Sequence, residues 1–184
     1  MVDDGLRPVR EGDPRWGWPH PNVSSSGLAS LLDELRPYAG GVRAQRVLEF
    51  STELSGSPGE SVARVQFHAL GYPPPELQVE FCDKDGLIGF ADFYWPSLDL
   101  VVEFDGRAKY GAARRYQRET TPHQLLMLEK DREDRFRRVV KSFARIDWTK
   151  TRDRRSLATY LGRFGLKPAR RAVDGQTASH LGIV

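Results

Sequence analysis

The pattern of apolar and polar residues divides the chain into a helical first part, a strand-rich centre and a mixed final part. In the centre, short apolar and aromatic segments are separated by turn signals, as in consecutive strands. On either side, apolar residues return every three or four positions, as on one face of a helix. The strands are predicted at residues 77–82, 88–95, 98–104 and 142–148, and the helices at 26–36, 41–54, 57–71, 123–141 and 153–165.

Turn chemistry predicts how these strands combine. The sequence DKDG at 83–86 is a hairpin signal, and Pro96 and Ser97 make a tight turn into the third strand. The fourth strand follows a helix, so it can join the sheet only by a crossover and should run parallel to the third. We therefore expect an α/β fold with a mixed four-stranded sheet, an antiparallel meander plus one parallel strand, flanked by helices.

Local signals also predict one helix start and the organisation of the chain. Ser57 is a plausible N-cap, Pro58 suits the first helical position, Glu60 completes a capping box and Gly71 ends the helix. The predicted parts are an irregular arm (1–24), a helical extension (25–56), the α/β domain (57–165) and a loose tail (166–184).

Composition narrows the class of protein. The 184 residues are 39% hydrophobic, with a mean hydropathy of −0.53, no apolar run of membrane-spanning length and no secretory signal at the N-terminus. The single cysteine, Cys82, cannot form an internal disulfide, which fits a reducing, cytoplasmic setting. A net charge of +3 and a pI near 9.1 permit a polyanionic partner, and basic residues cluster after residue 106.

Three acidic residues lie in otherwise apolar strands. Asp92 belongs to the second strand, while Glu103 and Asp105 point to one side of the third, because side chains alternate along a strand. Carboxylates that approach each other are costly unless a cation lies among them, and a hard divalent cation prefers oxygen ligands. Simpler explanations also exist: an edge position for Asp92, a strand-ending Asp-Gly for Asp105, and the capping box alone for Glu60.

Basic residues lie near these acids. Lys109 follows Asp105 closely in the chain, and Lys130 lies beside the apolar stripe of the long helix. Glu129 and Arg132 fall within that stripe, so they either pair with each other or serve the acidic site. The stripe, which should pack on the sheet, consists of Leu125, Leu128, Glu129, Arg132, Phe136 and Val139.

Taken together, these motifs resemble the PD-(D/E)XK nuclease superfamily. The closer similarity is to a small actinobacterial domain related to very short patch repair endonucleases, often found as the C-terminal half of abortive-infection-type antitoxins. The segments that carry it span roughly residues 50–150: SPGESVARV, GYPPPELQVEF, ADFYWP, VVEFDGRAKYG, EKDREDRFRRV and ARIDW. The resemblance implies a restriction-endonuclease-like core and hydrolysis of phosphodiester bonds in DNA with Mg²⁺ or Mn²⁺.

The resemblance also implies roles for individual residues. Asp92 and Glu103 would bind the metal, Asp105 would complete its coordination or orient the attacking water, and Glu60 would be a nearby helix acid. Asp105 stands where many nucleases have lysine. Lys109 or Lys130 could supply that missing charge. The residues implied to surround and orient these ligands are Gln78, Glu129, Lys130 and Arg132. Those implied to contact phosphates are Arg107, Lys109, Arg114, Arg115 and Arg135.

Two other functions stay open from the sequence. The chain could be a catalytically silent nucleic-acid-binding or regulatory module of a toxin–antitoxin or defence system, which needs a basic surface but no metal. It could also be an interaction domain with a protein partner, or a dimer. A nucleophilic hydrolase is not indicated, because no histidine is placed by a motif to activate Cys82.

Overall fold

A computed structural model describes residues 24–34, 39–106 and 121–169 of the chain. In these ranges the helices are α1 (Ser25–Glu34), α2 (Gly41–Phe50), α3 (Pro58–Ala69), α4 (Pro122–Val139), α5 (Trp148–Arg152) and α6 (Arg154–Gly162). The strands are β1 (Glu76–Asp83), β2 (Gly86–Trp95), β3 (Leu100–Phe104) and β4 (Ser142–Ile146). No helix in this part of the chain is both long and apolar enough to cross a membrane.

The four strands form one mixed sheet in the order β1-β2-β3-β4. β1 and β2, and then β2 and β3, pair antiparallel through short turns, whereas β3 and β4 pair parallel across the α4 connection. This arrangement confirms the α/β fold, the meander and the parallel fourth strand that turn chemistry predicted.

Helices cover both faces of the sheet. One core lies between the sheet and α3 and α6, where Phe67 and Leu157 pack with Trp95, Val102 and other buried residues. The second core is smaller and lies under the C-terminal half of α4, where Phe136 of the helix and Val140 just after it are buried. Alternation along β3 sends its residues to these two cores in turn, so Glu103 shares the α4 face with Val101.

Helix α3 begins as its sequence predicts and lies very close to the sheet. The Ser57 hydroxyl accepts a hydrogen bond from the Glu60 amide at 3.3 Å, with Pro58 at the first helical position. Gly59 faces the ring of Phe104, and a Cβ at this position would lie 2.1 Å from Phe104 Cε1. Glycine at position 59 therefore permits the close contact between α3 and β3.

The start of β3 differs from the prediction. A short 3-10 helix, Pro96–Leu98, replaces the predicted tight turn, so β3 starts at Leu100 and not at residue 98. Asp99 adopts a φ of 46°, and its carboxylate accepts hydrogen bonds from the Tyr94 hydroxyl at 3.0 Å and the Lys141 amide at 2.8 Å. These bonds stabilise a backbone conformation that non-glycine residues rarely adopt.

A short helix that was not predicted, α5, precedes the last predicted helix, 153–165, which forms as α6. The carboxylate of Asp147 caps α5 by accepting from the Lys150 amide at 2.9 Å, and that of Asp153 caps α6 by accepting from the Arg155 amide at 3.0 Å. Each aspartate offers an N-cap, so α5 begins at Trp148, the last residue of the predicted fourth strand, and β4 ends earlier, at Ile146.

The predicted apolar stripe of α4 is only partly correct. Phe136 is fully buried, but Leu128 is 60% exposed and Val139 is 37% exposed. Val140, just beyond the helix, takes the buried position instead. The first half of α4, which contains Leu128, has no described surface to cover, and Val139 is the last residue of the helix. The side chain of Leu125 lies outside the described part of the chain.

An ion pair joins α4 to the β1–β2 hairpin. Arg135 donates to both carboxylate oxygens of Asp83, at 2.8 and 2.6 Å, and also to the carbonyls of Leu87 and Gly86. The hydrogen bonds from Arg135 lower the pKa of Asp83 to about 2. Arg135, predicted as a phosphate contact, is therefore engaged in holding the hairpin.

We expect Asp83→Asn to lower the thermal midpoint by several degrees at pH 7 and by very little near pH 2. The folded-state pKa lies below the ordinary value of 3.8, so this stabilisation is present above about pH 4 and disappears as the pH falls through about 2. Thermal unfolding followed by circular dichroism from pH 2 to pH 7 measures the difference. Asp134→Asn, an exposed position beside Arg135, should show no such pH dependence; an equal effect of both substitutions would contradict the prediction.

Candidate functional site

The acidic residues lie where β2 and β3 separate. The last backbone pair between these strands joins Phe93 to Val102, and Asp92 and Glu103 come next on either strand. There the Asp92 carboxylate accepts a hydrogen bond from the Phe104 amide at 2.8 Å. A side chain thus satisfies a strand amide at the point where the ladder ends, and it keeps Asp92 beside β3.

A strained residue of β1 connects Asp92 to the helix acid. Gln78 has a φ of 51°, a left-handed conformation that is uncommon for a residue other than glycine. Its amide nitrogen lies 3.4 Å from Asp92 Oδ1 and 3.4 Å from Glu60 Oε2. Such strain is often found at functional sites, and here it accompanies a side chain that bridges two acids.

Glu60 itself is buried and held by the start of α3. The Ser57 hydroxyl donates to Glu60 Oε1 at 2.7 Å, and the Gly56 amide donates to Oε2 at 2.7 Å. Glu60 therefore stabilises the start of α3, but its carboxylate accepts from the Ser57 hydroxyl and the Gly56 amide, whereas a capping box would pair it with the Ser57 amide. The Gln78 side chain also connects Glu60 to Asp92, so Glu60 can both stabilise the start of α3 and belong to the acidic site.

Glu103 is the most unusual acid of the site. It is only 5% exposed, and Oε1 is buried with no hydrogen-bond partner among the described residues, while Oε2 accepts from Arg132 at 2.7 Å. Burial raises the pKa of Glu103 to about 7, with a further rise from the charge of Asp92, against the lowering effect of Arg132 and Arg145. An unpaired oxygen on a buried carboxylate is costly and requires an explanation.

Arginines from α4 and β4 lie beside the Oε2 atom of Glu103. Arg132 lies 3.4 Å from Glu129, which confirms that these two helix residues pair. Arg145 forms a short ion pair with Glu129, and its Nη2 lies 3.7 Å from Glu103 Oε2. Although burial alone would raise the pKa of Glu129, the two guanidinium groups lower it overall. The result is an alternating network of acids and arginines that also reaches Glu133.

Arg145 was missed at the level of sequence. It pairs with Glu103 in the parallel ladder between β3 and β4, and it lies two residues after Phe143 on the same face of β4, the face that packs against α4. A charged residue at an inward position of an otherwise apolar strand is the signal that could have identified it.

The remaining predicted residues are placed differently or lie outside the described part. Asp105 is half-buried, and its backbone amide donates to the Ile146 carbonyl at 2.7 Å, which extends the pairing of β3 with β4. Lys130 is exposed on α4. Among the described residues, no group of three or more histidine, cysteine, aspartate or glutamate side chains is placed to hold a metal ion, so Asp92, Glu103 and Asp105 are not assembled as a trio. The predictions for Arg107, Lys109, Arg114 and Arg115 lie outside the described residues.

The two carboxylates that do come together are suitable for Mg²⁺. This ion commonly binds one or two carboxylates and completes its octahedron with water and substrate phosphate oxygens. Asp92 and Glu103 supply two carboxylates from adjacent strands, and the unpaired Glu103 Oε1 is a buried oxygen with unused coordinating capacity. By donor chemistry, the site fits a hard divalent cation.

The fold and site define an α/β domain with paired acids at the splayed end of two strands. An 80-residue segment is 32% identical to an uncharacterized protein of Mycobacterium tuberculosis strain H37Rv, Rv2248, and equally to MT2308 of strain CDC 1551 / Oshkosh. The similarity covers 44% of this chain and 30% of each relative, so the chain spans under a third of the length of these relatives. No protein-family model and no solved structure matches the chain.

Proposed function

We propose that this chain is a metal-dependent nuclease that hydrolyses phosphodiester bonds in DNA. The observation that carries the proposal is the buried Glu103 carboxylate, which lies beside Asp92 and keeps one oxygen unpaired. The resemblance to PD-(D/E)XK nucleases supports the same reading, because it selects these two residues as the metal ligands.

Asp92 and Glu103 would hold a Mg²⁺ or Mn²⁺ ion. When bound, such an ion lowers the pKa of a coordinated water and polarises a phosphate oxygen. The residues around it have supporting roles: the Phe104 amide and Gln78 orient Asp92, and Glu60 in turn accepts from Gln78. Held in this way, the Asp92 carboxylate keeps its position without the ion.

Substrate binding would depend on the basic residues that follow β3. Arg107, Lys109, Arg114 and Arg115 are expected to contact backbone phosphates, which positions a duplex without reading its sequence. This part of the proposal rests on the sequence and on the overall positive charge of +3. Weak binding of DNA that does not change with salt concentration would contradict it.

We expect the metal-free protein to bind Mn²⁺ in a calorimetric titration, and we expect Glu103→Gln and Asp92→Asn each to abolish this binding. Either substitution removes one of two anionic ligands while preserving the size of the side chain. Asp131→Asn, an exposed position on α4, provides the matched control and should bind as the wild type does. Binding that survives both site substitutions would place the ion elsewhere and refute the proposed site.

A second function is favoured by one specific observation. Arg132 and Arg145 neutralise Glu103 and Glu129 without any metal, as expected in a nuclease-like platform that only binds nucleic acid. This module would bind DNA with the usual salt dependence yet show no Mn²⁺ binding in the same titration. The calorimetric result therefore separates the two functions.

A further inference from the structure

We propose that Arg132 is a resident counter-ion of Glu103 and that a divalent cation binds by displacing its guanidinium. The inference rests on the proposed function, since it concerns the same metal site. In this role Arg132 sets the affinity of the site for the ion, beyond its contribution to the fold and to charge balance.

The first observation is the uneven contact of Arg132 with two acids. Its Nη2 lies 2.7 Å from Glu103 Oε2, whereas its closest approaches to Glu129 are 3.4 and 3.5 Å. The guanidinium is therefore held mainly by the buried carboxylate of β3. Glu129 precedes it by one helical turn and offers a second acceptor within reach.

The second observation concerns what Glu103 retains. One of its oxygens pairs with Arg132, while the other, Oε1, is buried without a partner among the described residues. A carboxylate that is half satisfied by an arginine is poised for a second cation, because only one of its two oxygens is used. A divalent ion there would bring two positive centres within a few ångströms of each other.

Repulsion between these centres would be strong in a buried site and would favour the release of Arg132 from Glu103. The released guanidinium already has an acceptor in Glu129, and Arg145 keeps its own ion pair with Glu129 and Glu133. The exchange therefore moves one side chain and leaves no charge unpaired. A matching consequence is that Arg132 competes with the metal and weakens its binding.

The test is calorimetric titration of the metal-free protein with Mn²⁺, comparing the wild type with Arg132→Gln. We expect the variant to bind Mn²⁺ with a Kd lower by about tenfold or more, because a competing cation next to the ligand has been removed. Arg137→Gln is the matched control. Arg137 lies on the same helix and pairs with Glu133, so its substitution removes the same charge at a different place. The Kd of this variant for Mn²⁺ should equal that of the wild type.

The outcomes separate this inference from the proposed function. Tighter binding by Arg132→Gln, or binding by this variant alone, supports the exchange. Equal or weaker binding by a folded Arg132→Gln overturns the exchange but leaves the metal site standing, whereas no binding by any protein overturns both. If Arg132→Gln does not fold, Arg132→Lys tests the same point, since a point charge without the planar fork should hold Glu103 less firmly and give an intermediate Kd.

Discussion

Replacing Glu103 by glutamine is expected to reduce Mg²⁺-dependent cleavage of DNA by about a hundredfold or more, and at the same time to stabilise the metal-free protein. The loss of activity follows from removing one of two anionic ligands of the ion. The gain in stability follows from the burial of this carboxylate, whose charged form is disfavoured in the folded state.

The sign of the stability change depends on pH. The pKa of Glu103 rises from an ordinary 4.5 to about 7, so between these values the folded protein holds a proton that the unfolded chain has released. Stability of the wild type should therefore fall as pH rises from about 4.5 to 7, a loss on the order of 3 kcal/mol that is complete above pH 7. The attraction of Arg132 is already contained in the shifted pKa, and glutamine lacks the pH dependence, so the net gain at pH 8 should be of the same order, about 3 kcal/mol.

Urea unfolding at pH 5 and pH 8 in the presence of a chelator measures the stability, and a plasmid cleavage assay with Mg²⁺ measures the activity. Glu133→Gln is an informative control, because it removes an acid from the same arginine network without touching Glu103. A Glu103→Gln protein that is less stable than the wild type at pH 8 would show that the pairing with Arg132 outweighs the cost of burial. Full cleavage activity in this variant would refute the assigned metal ligand.

Substituting Gly59 by alanine is expected to destabilise the protein by about 2 kcal/mol or more. A Cβ at this position would meet the Phe104 ring at 2.1 Å, far inside any permitted contact. The ring cannot move away freely, because it packs edge-on against Trp148 with centroids 5.2 Å apart. The helix α3 must then shift, and Glu60 with it.

The matched control for this prediction is Gly162→Ala at the end of α6, where an added Cβ meets nothing within 4 Å. Alanine there should leave stability unchanged or raise it by up to about 1 kcal/mol, because the unfolded chain loses conformational freedom. Chemical denaturation of both variants compares them directly. Similar free energies of unfolding for Gly59→Ala and the wild type would show that α3 is free to move outward at no cost.

Much of the fold was predictable because it depends on local chemistry. The DKDG turn at 83–86 joins β1 to β2, and the helix between β3 and β4 forces a parallel pairing. The start of α3 follows from Ser57, Pro58 and Glu60 alone. The unpredicted helix α5 could also have been found from Asp147, an N-cap residue at the end of the predicted fourth strand.

The sequence by itself determined the order of the sheet and the presence of acids in its central strands, since both are encoded by neighbouring residues. Only the tertiary structure decided which charges meet. Arg132 reaches Glu103 across 29 residues of chain, and Arg145 comes beside both through the parallel ladder. Helical spacing could not show that Leu128 remains exposed, because spacing describes one helix, whereas burial depends on how far the sheet extends beneath it.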